Sequence, residues 1–260
     1  MDEIISTQTS CLPYSKAGNG KKAPAIFIHG FGSDATSWRP LQTTLEAKRE
    51  TIAFDLPGHG RALNWPEIGS PGSAAKSVAS SLKALNLHRV HLVGHSMGGA
   101  IACLIAMRSP EIVASLTLIG PGGFGEEING AVLQQYAASK TAEAQDEVLH
   151  HFFGKGHKIP WKISAHLANE RARKGAIEAL EKVHGAFLKA EGQGVLPIEK
   201  LGDMSFPIKL LWGTDDQILP YSQTKAIPAN IALHSFKGAG HMLQYEHPRQ
   251  VASLILENTR

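Results

Sequence analysis

Cysteine is nearly missing from this chain, with only Cys11 and Cys103 present. Two thiols cannot build the disulfide framework of a small secreted domain. Cys103 stands in the small, apolar run from Gly99 to Met107, where a buried thiol is expected, and no disulfide is expected. Long hydrophobic runs are missing too: no stretch approaches the roughly 20 apolar residues that span a bilayer. The opening Met1-Asp2-Glu3-Ile4-Ile5 lacks the basic region and apolar stretch of a secretory signal. A cytoplasmic protein is the expectation by elimination. Nor does one sign of charge prevail, since 26 Lys and Arg face 23 Asp and Glu for a net charge of +3. The basic residues are scattered, which argues against nucleic acid as a partner. No internal repeat or low-complexity tract is visible, and 43% hydrophobic with 19% charged residues is the balance of a packed globular protein.

Short apolar runs supply the architecture. Ala25 to Ile28, Thr51 to Phe54, Val90 to Val93, Ser115 to Ile119, Ile208 to Trp212 and Ile231 to Phe236 read as strands. Helical stretches alternate with them: Ser37 to Ala47, Ser73 to Leu85, Gly98 to Ser109 and Pro248 to Asn258. Buried strands alternating with helices predict a parallel sheet covered on both faces. From Gly122 to about Lys200 the strand signals stop, and helix formers dominate Ala131 to His151 and Ser164 to Ala190. The expected division is a core of residues 1–121 and 201–260, interrupted by a helical cap at 122–200.

Where the run Val90 to Val93 ends, the chain reads Gly94-His95-Ser96-Met97-Gly98. This is G-x-S-x-G, a sharp strand-to-helix turn that lifts a serine hydroxyl above the sheet's carboxyl edge. A Cβ at position 94 or 98 would clash where strand and helix come together. A serine hydroxyl is a weak nucleophile and needs a histidine base, a carboxylate to orient it and donors for an oxyanion.

Thirteen histidines are present, so most must serve packing or the surface. His88, His91, His184 and His234 read that way, and His59 and His95 lie within turn motifs. His150, His151 and His157 have no carboxylate or cysteine spacing that would make a metal site, and no metal is expected. His241 differs: Gly238-Ala239-Gly240-His241 follows the last strand and precedes the last helix. The acid should follow a strand and precede the histidine. Gly120 to Phe124 contains no carboxylate, whereas the strand ending at Trp212 runs into Gly213-Thr214-Asp215-Asp216. Asp215 and Asp216 both qualify. Backbone N–H groups of Met97, after the nucleophile, and of Phe31, in His29-Gly30-Phe31-Gly32, are the expected oxyanion donors.

These motifs, with Asp55-Leu56-Pro57-Gly58-His59-Gly60 between them, make the chain resemble the α/β-hydrolase family over nearly its whole length. The resemblance implies a mostly parallel sheet of about eight strands with the cap over the active site. It also selects between the aspartates. Trp212 to Pro220 is similar to the family's W-G-x-x-D-x-x-x-P, in which Asp216 is in register and Asp215 one residue out. The run Gly120 to Gly130 is similar to the start of the cap in the hydrolase-like catalytic domain of acetoin dehydrogenase E2-type subunits, whose lipoyl domain is not expected here. The H-x-x-x-D-G stretch of the unrelated chloramphenicol-acetyltransferase-like E2 domain does not occur.

The expectation is a serine hydrolase of carboxylesterase type that cleaves a small ester or thioester through an acyl-enzyme on Ser96, with no cofactor. An acyltransferase passing the acyl group to a thiol or alcohol, or a carbon–carbon bond hydrolase, is the alternative; a non-catalytic ligand receptor is a third class. Dinucleotide binding fails, because no G-x-G-x-x-G opens a helix after the first strand. Between Lys155 and Lys174 six cations, Lys155, Lys158, Lys162, Arg171, Arg173 and Lys174, face the single acid Glu170. That pattern reads as a solvated face, or as a patch that steers an anionic substrate.

Overall fold

Strand β1 (Tyr14–Ala17) comes first, and β2 (Ala25–Ile28), β3 (Thr51–Phe54), β4 (Val90–His95) and β5 (Val113–Ile119) form where the β-branched and apolar runs lie. The computed structural model describes residues 11–20, 22–189 and 192–260. The amino-terminal reading on Met1 to Ile5 lies outside them. After a short hairpin, β6 (Leu188–Lys189) and β7 (Gly192–Gln193), the sheet resumes with β8 (Ile208–Gly213) and β9 (Ala232–Phe236). The order across the sheet is β1-β3-β2-β4-β5-β8-β9. Only β1 is antiparallel to its neighbour. Among the described residues the main sheet thus has seven strands where about eight were expected. Neither β1, whose sequence Tyr-Ser-Lys-Ala is half polar, nor the hairpin carries the apolar run by which the other strands are read.

Alternation along β2 sorts its side chains between two cores. Ile26 and Ile28 face the side covered by α2 (Pro71–Ala84) and α3 (Met97–Arg108), with Val78, Leu82, Ile101 and Ile105. Ala25 and Phe27 face α1 (Arg39–Leu45) and α9 (Pro248–Asn258), with Leu41, Leu45, Val251 and Ile255. Each such aliphatic or aromatic side chain stabilises the fold by about 1.5–3 kcal/mol on burial. The sheet is therefore fixed from both faces, and the loops at its carboxyl edge have a rigid base. Cys103 is fully buried in α3, and both cysteines are free thiols.

Four helices lie between β5 and β8: α4 (Gly130–Ala138), α5 (Ala142–Leu149), α6 (Trp161–Arg171) and α7 (Ala176–Phe187). Each of the two segments rich in helix formers holds two helices. Thr141 opens α5 by accepting the Ala144 N–H on its hydroxyl, a cap that competes with continuing α4. Gly175 separates α6 from α7 with φ of 83°, a conformation that favours glycine. A short helix α8 (Leu243–Glu246) precedes α9. No helix among the described residues is long and apolar enough to cross a membrane.

Candidate active site

The chain leaves β4 at His95 and enters α3 at Met97, so Ser96 must turn alone. It does so at φ 54° and ψ −122°, a strained backbone for a residue with a Cβ. The glycines allow the approach: a Cβ at Gly94 would lie 2.3 Å from Gly98 O, and one at Gly98 2.1 Å from Ile28 O. Ser96 N donates to Ile119 O at 3.0 Å, and Gly122 N donates to Ser96 O at 3.0 Å. The serine is thus held between β2 and the turn after β5.

His241 and Asp216 meet beside that turn. His241 Nδ1–H donates to Asp216 Oδ2 at 2.7 Å, with the two side chains 1% and 0% exposed. The carboxylate fixes the tautomer and leaves the Nε2 lone pair free. Asp216 Oδ1 accepts the N–H groups of Ile218 and Leu219, each at 2.9 Å, and Trp212 Nε1 donates to Leu219 O at 3.0 Å. Asp215 points away: it is exposed and accepts only from Thr214 Oγ1 at 2.9 Å. A Cβ on Gly120, one residue after the acceptor of Ser96 N, would sit 3.3 Å from both Asp216 Oδ2 and His241 Nδ1. The three side chains therefore converge on the same turn, although no hydrogen bond joins the Ser96 hydroxyl to the His241 ring. Such contacts often tighten only when substrate is bound.

Ser96, Met97 and Phe31 line one cavity of about 230 Å³. Met97 N–H, at the first position of α3, has no intrahelical acceptor. The Phe31 loop is held from several sides. Gly32 N donates to His59 Nε2 at 3.1 Å, and Gly32 O accepts Arg171 Nη2 at 2.7 Å. His29 Nε2 accepts Leu56 N–H at 3.0 Å, while its Nδ1–H donates to Gly30 O at 2.8 Å. Burial lowers the pKa of His29 and takes His59 to about 3, so both rings are neutral struts.

Several residues of this architecture were missed or only half read from the sequence. His95, read as structural, donates Nε2–H to His241 O at 2.9 Å. The buried Glu246 carboxylate accepts Gly240 N at 3.0 Å and Gly154 N at 2.9 Å, fastening the His241 loop to the segment after α5. Arg171, part of the basic segment read as a solvated face or a steering patch, is buried over the Tyr136 ring. Arg173 pairs with Glu170 at 2.5 Å. Asp34 and His166 are paired at 2.5 Å across the Phe31 loop and α6. With Glu170 they form a trio of mutually close ligand atoms, whose partners are these hydrogen bonds. His150, His151 and His157 do not join a group of three ligands among the described residues.

Residues 25–254 match the alpha/beta hydrolase family, and the chain belongs to that family. The dihydrolipoyllysine-residue acetyltransferase component of the acetoin cleaving system of Pseudomonas putida is 32% identical over 245 residues, covering 94% of this chain and 65% of that protein. The chain thus spans slightly less than two thirds of such relatives. A 2-hydroxy-6-oxononadienedioate/2-hydroxy-6-oxononatrienedioate hydrolase of Burkholderia vietnamiensis is 29% identical over 266 residues, covering 95% of this chain and 90% of that protein. A meta-cleavage product hydrolase from Pseudomonas fluorescens IP01 superposes with a TM-score of 0.80 at 23% identity, covering 94% of this chain and 92% of that one. That likeness establishes the fold.

Proposed function

We propose that the protein is a serine hydrolase of carboxylesterase type, cleaving a small ester or thioester through an acyl-enzyme on Ser96. The observation that carries this reading is the buried Asp216–His241 hydrogen bond beside a strained serine that opens on a cavity. Ser96 Oγ adds to the substrate carbonyl as His241 Nε2 takes its proton, and Asp216 stabilises the imidazolium that forms. The N–H groups of Phe31 and Met97 receive the oxyanion. His241 then returns the proton to the leaving oxygen or sulfur. Water, deprotonated in turn by His241, releases the acid and regenerates Ser96. Each oxyanion donor of this kind lowers the barrier by about 3 kcal/mol. Residues 122–200 are assigned as the cap over residues 1–121 and 201–260, and Arg171 and Tyr136 reach from it to Gly32 O.

Labelling with a fluorophosphonate tests the assignment. Wild-type protein should take up one equivalent at Ser96, and Ser96→Ala none; a stoichiometric label on another residue would end it. Acyl transfer to a thiol is the second reading, favoured by the 32% identity to the acetoin-system component. Partitioning of the acyl group between water and added dihydrolipoamide separates the two. The Burkholderia relative keeps carbon–carbon bond hydrolysis as an alternative, tested by turnover of a vinylogous diketone.

A further inference from the structure

The cavity that begins at Ser96 has a direction and a chemistry of its own. It starts at Ser96, at the entry to α3, and follows one stripe of that helix through Ala100 and Leu104, which are one turn apart and share a helix face. The eight steps from Ser96 to Leu104 span about 12 Å at the helical rise. Ile128, Leu133, Phe187 and Leu196 close the other side. Val195, 51% exposed, stands with Pro71 among the lining residues at the surface, so an apolar residue remains in water where the cavity opens.

Polar side chains beyond Ser96 are few. Gln193 lines the cavity, but its carboxamide is already engaged. Oε1 accepts Gly123 N–H at 3.1 Å, and Nε2 donates to Gly125 O at 3.0 Å and Glu127 O at 3.4 Å. Lys189 is the sole charged lining residue among those described, and it is exposed on the β6–β7 hairpin. A carboxylate held inside the cavity would therefore lose its hydration without a buried partner, which is strongly unfavourable. A methyl terminus would lose nothing.

We infer that the cavity is an acyl pocket for a neutral ester or thioester whose unbranched acyl chain has about eight to ten carbons and no terminal charge. The inference rests on the serine-hydrolase reading for its chemistry and on the cavity for its length. An apolar cavity of about 150 Å³ takes benzene, so about 230 Å³ scales to about nine carbon atoms. Burying each methylene favours binding by about fourfold, which separates an octanoyl from an acetyl group by several orders of magnitude if the gain is carried fully into the transition state.

The test varies the acyl chain of p-nitrophenyl esters from acetate to dodecanoate and reads kcat/KM. It should climb by up to fourfold per methylene, peak at about eight to ten carbons and then fall. Mono-p-nitrophenyl suberate should be at least about tenfold poorer than p-nitrophenyl octanoate on the same reasoning. Ala100→Leu, which fills the middle of the stripe, should move the optimum to shorter chains. An acetate optimum, equal use of the suberate ester, or a length dependence that follows the alcohol of alkyl acetates would overturn the inference. Calorimetry on Ser96→Ala keeps the pocket separate from the chemistry. Octanol should bind at least tenfold tighter than butanol, and equal affinities would overturn the pocket even in a protein whose Ser96 labels. If Ser96 in the wild type does not label while octanol binds preferentially, the hydrolase reading falls and the apolar-chain pocket stands.

Discussion

His95, the residue immediately before the strained serine, donates its Nε2–H to the carbonyl of His241 at 2.9 Å. One side chain on the elbow thereby fixes the loop that carries the proposed base. Its Nδ1 accepts from Gln244 Nε2 at 3.4 Å, and burial, reinforced by His241, holds its pKa well below the histidine range. His95 is thus a neutral positioning residue. His95→Phe leaves the buried His241 carbonyl without its donor, at a cost of about 1–3 kcal/mol. Misplacing the base by about 1 Å should lower kcat on the order of 10²-fold. Thermal unfolding and ester turnover measured on one preparation check both effects. A variant with unchanged Tm and kcat would show that the contact positions nothing.

The two adjacent aspartates separate cleanly. Asp216→Asn removes the acceptor that sets the His241 tautomer and should lower kcat by ~10⁴-fold in a folded protein. Asp215→Asn loses one exposed contact with Thr214 and should stay within about tenfold of wild type. Steady-state kinetics on both variants, with circular dichroism to establish folding, decides the matter. The opposite ranking would move the acid to Asp215.

Acid should weaken the fold through its neutral histidines. Burial, aided by neighbouring charges, takes His59 to about 3 and His91 to about 4. Below about pH 6.5 the unfolded chain binds protons there that the folded chain refuses, so stability is lost as pH falls from about 6.5 toward those values. Each group contributes a slope of up to about 1.4 kcal/mol per pH unit. His91→Gln should flatten the acid side of a Tm-against-pH curve, and an unchanged slope would refute this. The Asp34–His166 pair has the opposite sense on its histidine side. Hydrogen bonding to Asp34 raises the His166 pKa, and for Asp34 the cost of burial is outweighed by His166, leaving its carboxyl below the usual range. The Asp34 contribution is present above about pH 4 and lost as pH falls through its depressed value. That of His166 is present below about pH 6.5 and lost as pH rises through its raised one. The Tm deficit of His166→Gln should therefore be greatest between about pH 4 and 6.5.

What could be read from the sequence was whatever local periodicity and spacing encode. The apolar runs gave β2, β3, β4, β5, β8 and β9 to within two residues; spacing left Asp215 and Asp216 both open, and the resemblance to the α/β-hydrolase family singled out Asp216, the aspartate that meets His241. Strand β1 escaped because its alternation is half polar, and the break between α4 and α5 went unread within the helix-forming segment Ala131 to His151 because Thr141 resembles any helical residue until its hydroxyl caps Ala144 N. Long-range partners were invisible for a different reason. Glu246 gripping Gly240, Arg171 gripping Gly32 and Asp34 pairing with His166 depend on distances that only the folded chain creates. Pattern alone therefore left Arg171 on a solvated face or a steering patch.

Glycine substitution tests the packing beneath the elbow. At Gly98 a Cβ would lie 2.1 Å from Ile28 O and 2.5 Å from His29 O, both backbone atoms of β2 and its exit that cannot yield without moving the sheet. Overpacking of this kind costs about 1–3 kcal/mol, and more where only backbone can give way. Gly98→Ala should fold poorly, and any soluble protein should lose activity, because the same shift displaces the Phe31 loop. Gly185, in α7, offers a control: a Cβ there meets nothing within 4 Å, and alanine removes the helix penalty of glycine, about 1 kcal/mol. Gly185→Ala should raise Tm by a few degrees, while Gly98→Ala lowers it or prevents purification. Equal and small effects at the two positions would mean that the strand–helix contact is looser than the geometry requires.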